Sequence, residues 1–169
     1  MRHNIELKAR LPSLDDAHAI ARQLAAEQLG DQHQVDTYFV CRSGRLKLRE
    51  ITGQRSELIW YERPDQEESK ACRYLVVPVE DAAGLKQALT GAWGIRCIVE
   101  KYREIYLYHN VRIHLDRVVD LGEFLEFEAV LGPDADAKAG HAQVAFLRGQ
   151  FQIADADLVT GSYADLLEP

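Results

Sequence analysis

In Asn4-Ile5-Glu6-Leu7-Lys8, and again in Glu126-Phe127-Glu128, polar and apolar residues alternate one for one. A β-strand sends successive side chains to opposite faces, so each stretch reads as a strand with one charged and one apolar face. Arg45-x-Lys47-x-Arg49, Lys101-x-Arg103 and Arg112-x-His114-x-Asp116 repeat the period with mostly basic residues. Acids therefore gather near the two ends of the chain and bases in its middle. Such sorting suits a site that binds both a divalent cation and a polyanion.

The same periodicity predicts strands over Asn4–Leu11, Gln34–Val40, Arg45–Ile51, Glu57–Arg63, Cys72–Val77, Ile95–Leu107, Val111–Val118 and Phe124–Leu131. Turn signals at Ser43-Gly44, Thr52-Gly53, Arg63-Pro64-Asp65 and His109-Asn110 separate them. Pro12 ends the first strand. Ser13 then reads as the N-cap of a helix carrying Leu14, Ala17, Ile20, Ala21, Leu24 and Ala25 on one face, with Gly30 as its stop. A shorter helix is expected near Asp81–Thr90 with Gly91 after it. Residues 64–70 read as a polar, flexible loop. After Gly132-Pro133 the Ala-rich composition favours helix through about Phe146, and Ser162–Leu167 reads as a short capped helix.

The 169 residues suit one compact domain, taken here as 1–169. A formal net charge of −7 argues against a broad nucleic-acid surface, though not against a local basic cavity. No apolar run is long enough to span a bilayer, and Met1-Arg2-His3-Asn4 leads into a strand without a signal-peptide core, so no membrane partner is expected. Cys41, Cys72 and Cys97 are odd in number and widely spaced, which points to small apolar residues in a reducing cytoplasm rather than to zinc or disulfides.

Eight strands in one domain predict a barrel or a strongly curved sheet. Taken alone, the pattern leaves its polarity open. Charged faces could point to solvent, or inward, with an apolar outer wall covered by the helices.

Asn4-Ile5-Glu6-Leu7-Lys8, Leu46-Lys47-Leu48-Arg49-Glu50, Lys101-Tyr102-Arg103 and Gly122-x-Phe124-Leu125-Glu126-Phe127-Glu128, in this order, resemble the CYTH family. That family includes class IV adenylyl cyclases, thiamine triphosphatases and related triphosphate tunnel metalloenzymes. The closing Ser162-Tyr163-x-Asp165-Leu166-Leu167 is similar to the end of the cyclase-like branch. The resemblance implies an α+β fold: an eight-stranded antiparallel β-barrel, or tunnel, with a charged interior and flanking helices. One position departs from the family's Glu-x-Glu-x-Lys, whose first place is here Asn4. An amide accepts hydrogen bonds and coordinates weakly, but it carries no charge and is no base.

Within that frame a triphosphate would meet Lys47, Arg49, Arg63, Arg73 and Arg112, with Lys8, Lys101 and Arg103 as catalytic groups. Mg²⁺ or Mn²⁺ would be held by Glu6, Asp116, Glu126 and Glu128. Glu126 and Glu128 share one strand face with Cα atoms about 6.5–7 Å apart. By themselves they would equally suit a solvated strand. His114, between Arg112 and Asp116, divides evenly between a structural and a functional role. Tyr102, Tyr106 and Tyr108, on the opposite face from Lys101, favour packing between barrel and helix over base stacking. Three functions follow. The first is hydrolysis of an inorganic or small organic triphosphate (tripolyphosphate, ATP or thiamine triphosphate). The second is cyclisation of ATP to cyclic AMP and pyrophosphate. The third, raised by Asn4, is non-catalytic binding of polyphosphate or nucleotide. A homodimer is allowed.

Overall fold

The computed structural model describes residues 2–66, 68–132 and 136–168. Expectations that rest on Met1, Glu67 and Pro133 lie outside the described residues. The strands are β1 (Arg2–Arg10), β2 (Glu27–Phe39), β3 (Arg45–Ile51), β4 (Ser56–Glu62), β5 (Lys70–Val79), β6 (Ile95–Tyr108), β7 (Val111–Val118) and β8 (Gly122–Leu131). Helices α1 (Leu14–Gln23), α2 (Ala82–Trp93), α3 (Ala137–Gln150) and α4 (Tyr163–Leu167) are interleaved with them or follow them.

The strands close into a barrel in the order β1-β5-β4-β3-β2-β6-β7-β8, every pair antiparallel. Most neighbours are hairpin partners in sequence. Closure depends on the two non-local seams, β2 against β6 and β1 between β5 and β8. In the second seam Glu6 sits opposite both Lys70 and Glu128, and Lys8 opposite Glu126. A one-residue slip there would turn all these charges into the outer wall, so burial of the apolar face fixes the register.

The polarity question resolves inward for the charges. Ile5, Leu7, Ala9, Ile113, Leu115, Leu125 and Phe127 are almost wholly buried on the outside of the barrel, packed with Leu14, Ala17 and Ala21 of α1 and Val144 and Leu147 of α3. Phe39, Leu46 and Leu48 face Leu85 and Leu89 of α2 in the same way. Helix α3 approaches β1 so closely that a Cβ at Gly140 would lie 2.8 Å from Ile5 Cγ1. The helices thus replace water over a wall that would otherwise be apolar and exposed. Tyr106, against His18 of α1, and Tyr108, against Phe146 of α3, belong to this packing, whereas Tyr102 is half exposed and stacks on His33.

Local ends differ from expectation at several places. Helix α1 is capped by Ser13 but closes at Leu24, with Ala25 in the left-handed region at φ 53°. Ala25 N donates to Arg22 O and Ala26 N to Ala21 O, the Schellman pattern. Gly30 instead lies in β2 at a register shift, where φ 127° accommodates the bulge. Gly91 is interior to α2, which runs on to a stop at Gly94. The loop expected through residue 70 ends earlier: Lys70 opens β5, is buried, and donates to Thr160 O at 2.6 Å and Gln66 O at 2.9 Å.

Candidate active site in the barrel interior

Alternate residues of the strands point into a cavity of about 500 Å³. Among the described residues seven cations line it: Lys8 from β1, Lys47 and Arg49 from β3, Arg63 just after β4, Lys101 and Arg103 from β6, and Arg112 from β7. Glu6, Glu126 and Glu128 line it from β1 and β8, and Glu57 from β4. In the closed strand order β8–β1 lies across from β3–β2, so the carboxylate wall faces the most cationic wall.

The cationic wall is organised by a residue that the sequence pattern did not single out. Asp36 of β2, 1 % exposed, accepts from Arg49 Nε at 2.8 Å and Arg49 Nη2 at 2.9 Å. It also accepts from Lys47 Nζ at 2.9 Å and Lys101 Nζ at 2.8 Å. Burial pushes its carboxyl upward, but Arg49, Lys101 and Lys47 outweigh that and hold it well below the usual carboxylate range. Three cations on one carboxylate leave an enclosed excess of positive charge. The signal for Asp36 was present in the alternation Gln34-x-Asp36-x-Tyr38, where a lone acid between neutral neighbours looks unremarkable.

On the opposite side Arg63 binds Glu6 at 2.8 Å, and Arg103 reaches Glu126 at 3.0 Å. His114 lies between Glu126, 3.6 Å from Nδ1, and Glu128, 3.8 Å from Nε2. Asn4 Nδ2 donates to Glu128 at 2.5 Å, while Arg112 stands 3.6 Å away at the more exposed end. Burial pushes Glu126 upward, and Lys8, His114 and Arg103 bring it well below its ordinary value. Lys8 Nζ is 3.7 Å from Glu126 and 3.9 Å from the centroid of the Tyr163 ring. Its burial brings the amine down to about 8 despite the pull of Glu126.

Helix α4 supplies Ser162 and Tyr163 to the cavity lining. The Tyr163 hydroxyl, kept a neutral phenol by burial and by Asp116, donates to Asp116 at 2.7 Å. A reciprocal Ser162–Asp165 capping box, with Asp165 bonded to Arg45 and Arg96, fixes the helix in place. Sequence reading found the capped helix but not the inward tyrosine, because nothing in a short terminal segment shows what it packs against.

Two expected site residues take other places. Asp116 is inside the barrel and fully buried, but Arg103 Nε and Nη2 (2.7 and 2.6 Å) and Tyr163 occupy its oxygens. It lies behind Arg103 and orients it, rather than joining the acids that face the cavity. Arg73 points outward, because β5 turns Cys72, Tyr74 and Val76 to the cavity; it is half exposed, pairs with Glu62 and lies over Trp60. The other expected residues (Glu6, Lys8, Lys47, Arg49, Arg63, Lys101, Arg103, Arg112, Glu126 and Glu128) all line the cavity.

The donor set of the β1–β8 wall suits a hard divalent cation. Glu6, Glu126 and Glu128 present carboxylate oxygens, and Asn4 Oδ1 is buried without a hydrogen-bond partner. Among the described residues no three His, Cys, Asp or Glu side chains already converge on one point, the acids being turned onto cations. A small cation that takes one or two carboxylates and completes its shell with water and phosphate oxygens matches this arrangement.

Solved structures share this architecture. The PH1012 protein from Pyrococcus horikoshii OT3 is 25% identical with a TM-score of 0.87, covering 98% of this chain and 99% of that one. An adenylate cyclase candidate from Vibrio parahaemolyticus is 20% identical with a TM-score of 0.81 over 99% of both chains. HpAC1 from Hippeastrum, described as an adenylyl cyclase candidate with a dominant triphosphatase activity, is 14% identical. Its TM-score is 0.66, over 96% of this chain and 91% of that one. No curated protein matches by sequence. The CYTH domain profile matches residues 2–163, nearly the whole chain, and the protein belongs to the CYTH domain family.

Proposed function

We propose that this protein is a divalent-metal-dependent triphosphatase that takes an inorganic or small organic triphosphate into the barrel and hydrolyses a P–O–P linkage. The observation that carries this reading is the unbalanced cluster of Lys47, Arg49 and Lys101 on the single carboxylate of Asp36, open to a cavity with further cations. Buried charge demands compensation. A triphosphate, with about four negative charges near neutral pH and oxygens that match guanidinium forks, supplies it. HpAC1, which shares the fold, is described by a dominant triphosphatase activity.

Lys47, Arg49 and Lys101 hold the phosphate chain, and Arg103, fixed by Asp116, and Arg63, fixed by Glu6, add further donors. Glu6, Glu126 and Glu128 would hold a Mg²⁺ or Mn²⁺, which would supply charge to offset what develops on the phosphoryl group. Lys8, with its amine near 8 beside Glu126, can hold or release a proton near neutral pH. As water forms its bond to phosphorus and the bridging P–O bond breaks, Lys8 protonates the departing oxygen; the attacking water releases its proton to solvent, from which Lys8 is reprotonated. Asn4 cannot take that role, being an amide.

The test is product analysis with Mg²⁺ or Mn²⁺ and tripolyphosphate, ATP or thiamine triphosphate in parallel. Orthophosphate release is the expected result, reduced about 100-fold or more in Glu126→Gln, which keeps shape and loses charge. Cyclic AMP with pyrophosphate from ATP would make the protein a cyclase instead. Tight binding without turnover under any metal would make it a non-catalytic binder.

A further inference from the structure

We propose that Asp36 is a positioning residue of the phosphate cradle, a built-in counter-ion that aligns Lys47, Arg49 and Lys101 and keeps the Lys101 ammonium charged; the proposal rests on the triphosphate reading above. Geometry carries it. The carboxylate takes both arms of the Arg49 fork, and its Oδ2 takes the two ammonium groups as well. Asp36 and Lys101 are each 1 % exposed, so water does little to hold either charge. The groups that act on Lys101 are Asp36 on β2, Lys47 and Arg49 on β3, Arg103 on its own strand, Asp116 on β7 and the Tyr163 ring on α4. Arg103 already engages Asp116, and Tyr163 contributes a neutral ring. Asp36 is thus the one carboxylate in hydrogen-bond contact with Lys101 among the described residues. Burial lowers the Lys101 amine well below its usual value, Asp36 opposes this, and the neighbouring cations add to it.

With Asp36 the empty cluster carries an excess of two positive charges; without it the excess is three, and Lys101 is the member able to shed a proton, since Arg49 is not. Substrate phosphates then complete a neutralisation that Asp36 begins, and they find their donors already oriented. Asp36 touches no reacting atom in this scheme and acts through the bases it holds.

Asp36→Asn keeps the side-chain shape and removes the charge. The first readout is the Lys101 ε-CH₂ titration by NMR in substrate-free protein, assigned with Lys101→Met. The second is tripolyphosphate affinity as a function of pH by calorimetry with Mg²⁺. In Asp36→Asn the Lys101 titration and the alkaline limb of the affinity profile should both move about one pH unit toward acid. On the alkaline side of both titrations the variant should bind about tenfold more weakly. Lys101→Met should lose the Lys101 step of that limb and keep the step that Lys8 contributes, its amine lying near 8, which tests the same linkage if Asp36→Asn does not fold. An unmoved Lys101 titration, or an unmoved limb in a folded variant, overturns the role given to Asp36, as does a limb that Lys101→Met leaves unchanged. If the native protein binds no tripolyphosphate at any pH, the functional reading falls and the cradle with it. The Lys101 titration separates the two failures, because it is measured without substrate.

Discussion

Asn4 shows how far one residue changes what the carboxylate wall can do. Its Nδ2 donates to Glu128 and its Oδ1 is left buried without a partner, so the amide neutralises no charge and leaves its acceptor unsatisfied. In Asn4→Glu a carboxylate would face Glu128 directly. Without metal this repulsion should lower stability by about 1 kcal/mol, a Tm decrease of a few degrees. With Mn²⁺ present the same variant should gain more in Tm than the native protein does, because the added oxygen donor offsets that repulsion. Thermal melts of both proteins with and without MnCl₂ check this, and an equal metal response would show that Asn4 is no deficit. Period-two alternation made most of the inward residues legible, since burial of one face fixes the other. It failed at Arg73, where the strand begins at Lys70 and register near a polar loop sets the facing, and at Asp36, whose importance lies in partners from β3 and β6.

Elements were legible where a period or a cap dictates them and less so where tertiary packing sets the ends. Strands β3 and β7 run as the alternation predicts. Strand β2 begins seven residues before Gln34, at Glu27, because its long pairing with β6 recruits a polar stretch that has no apolar period of its own. That recruitment is also why α1 ends at Gln23 and not near Gly30. The chain must reverse into the barrel at once, and Ala25 takes the left-handed turn that glycine adopts without strain. Ala25→Gly should therefore raise stability by about 0.5–1 kcal/mol, read as a higher urea midpoint at unchanged m-value. A lower midpoint would mean that the alanine methyl contributes packing that outweighs the backbone strain.

At the scale of the molecule the barrel inverts the usual arrangement. Much of its apolar wall is covered by α1, α2 and α3, though Leu75, Val77 and Ile98 stay exposed, and its polar faces are enclosed with their charges paired across strands. The sequence carried the alternation that makes this possible, but not its sense. Only the helices packed on the outside, and the closure of β1 between β5 and β8, decide that charges point inward. The consequence is a cavity whose cationic and acidic walls face each other, which is the basis of the proposed triphosphate chemistry. The most direct test is a crystal structure of the protein with tripolyphosphate and a divalent cation. Phosphate density is expected inside the barrel, within hydrogen-bond distance of Lys47, Arg49, Lys101 and Arg103, with the cation against Glu6, Glu126 or Glu128. Phosphate bound only on the outer surface, for example at Arg73, with an empty barrel would contradict it.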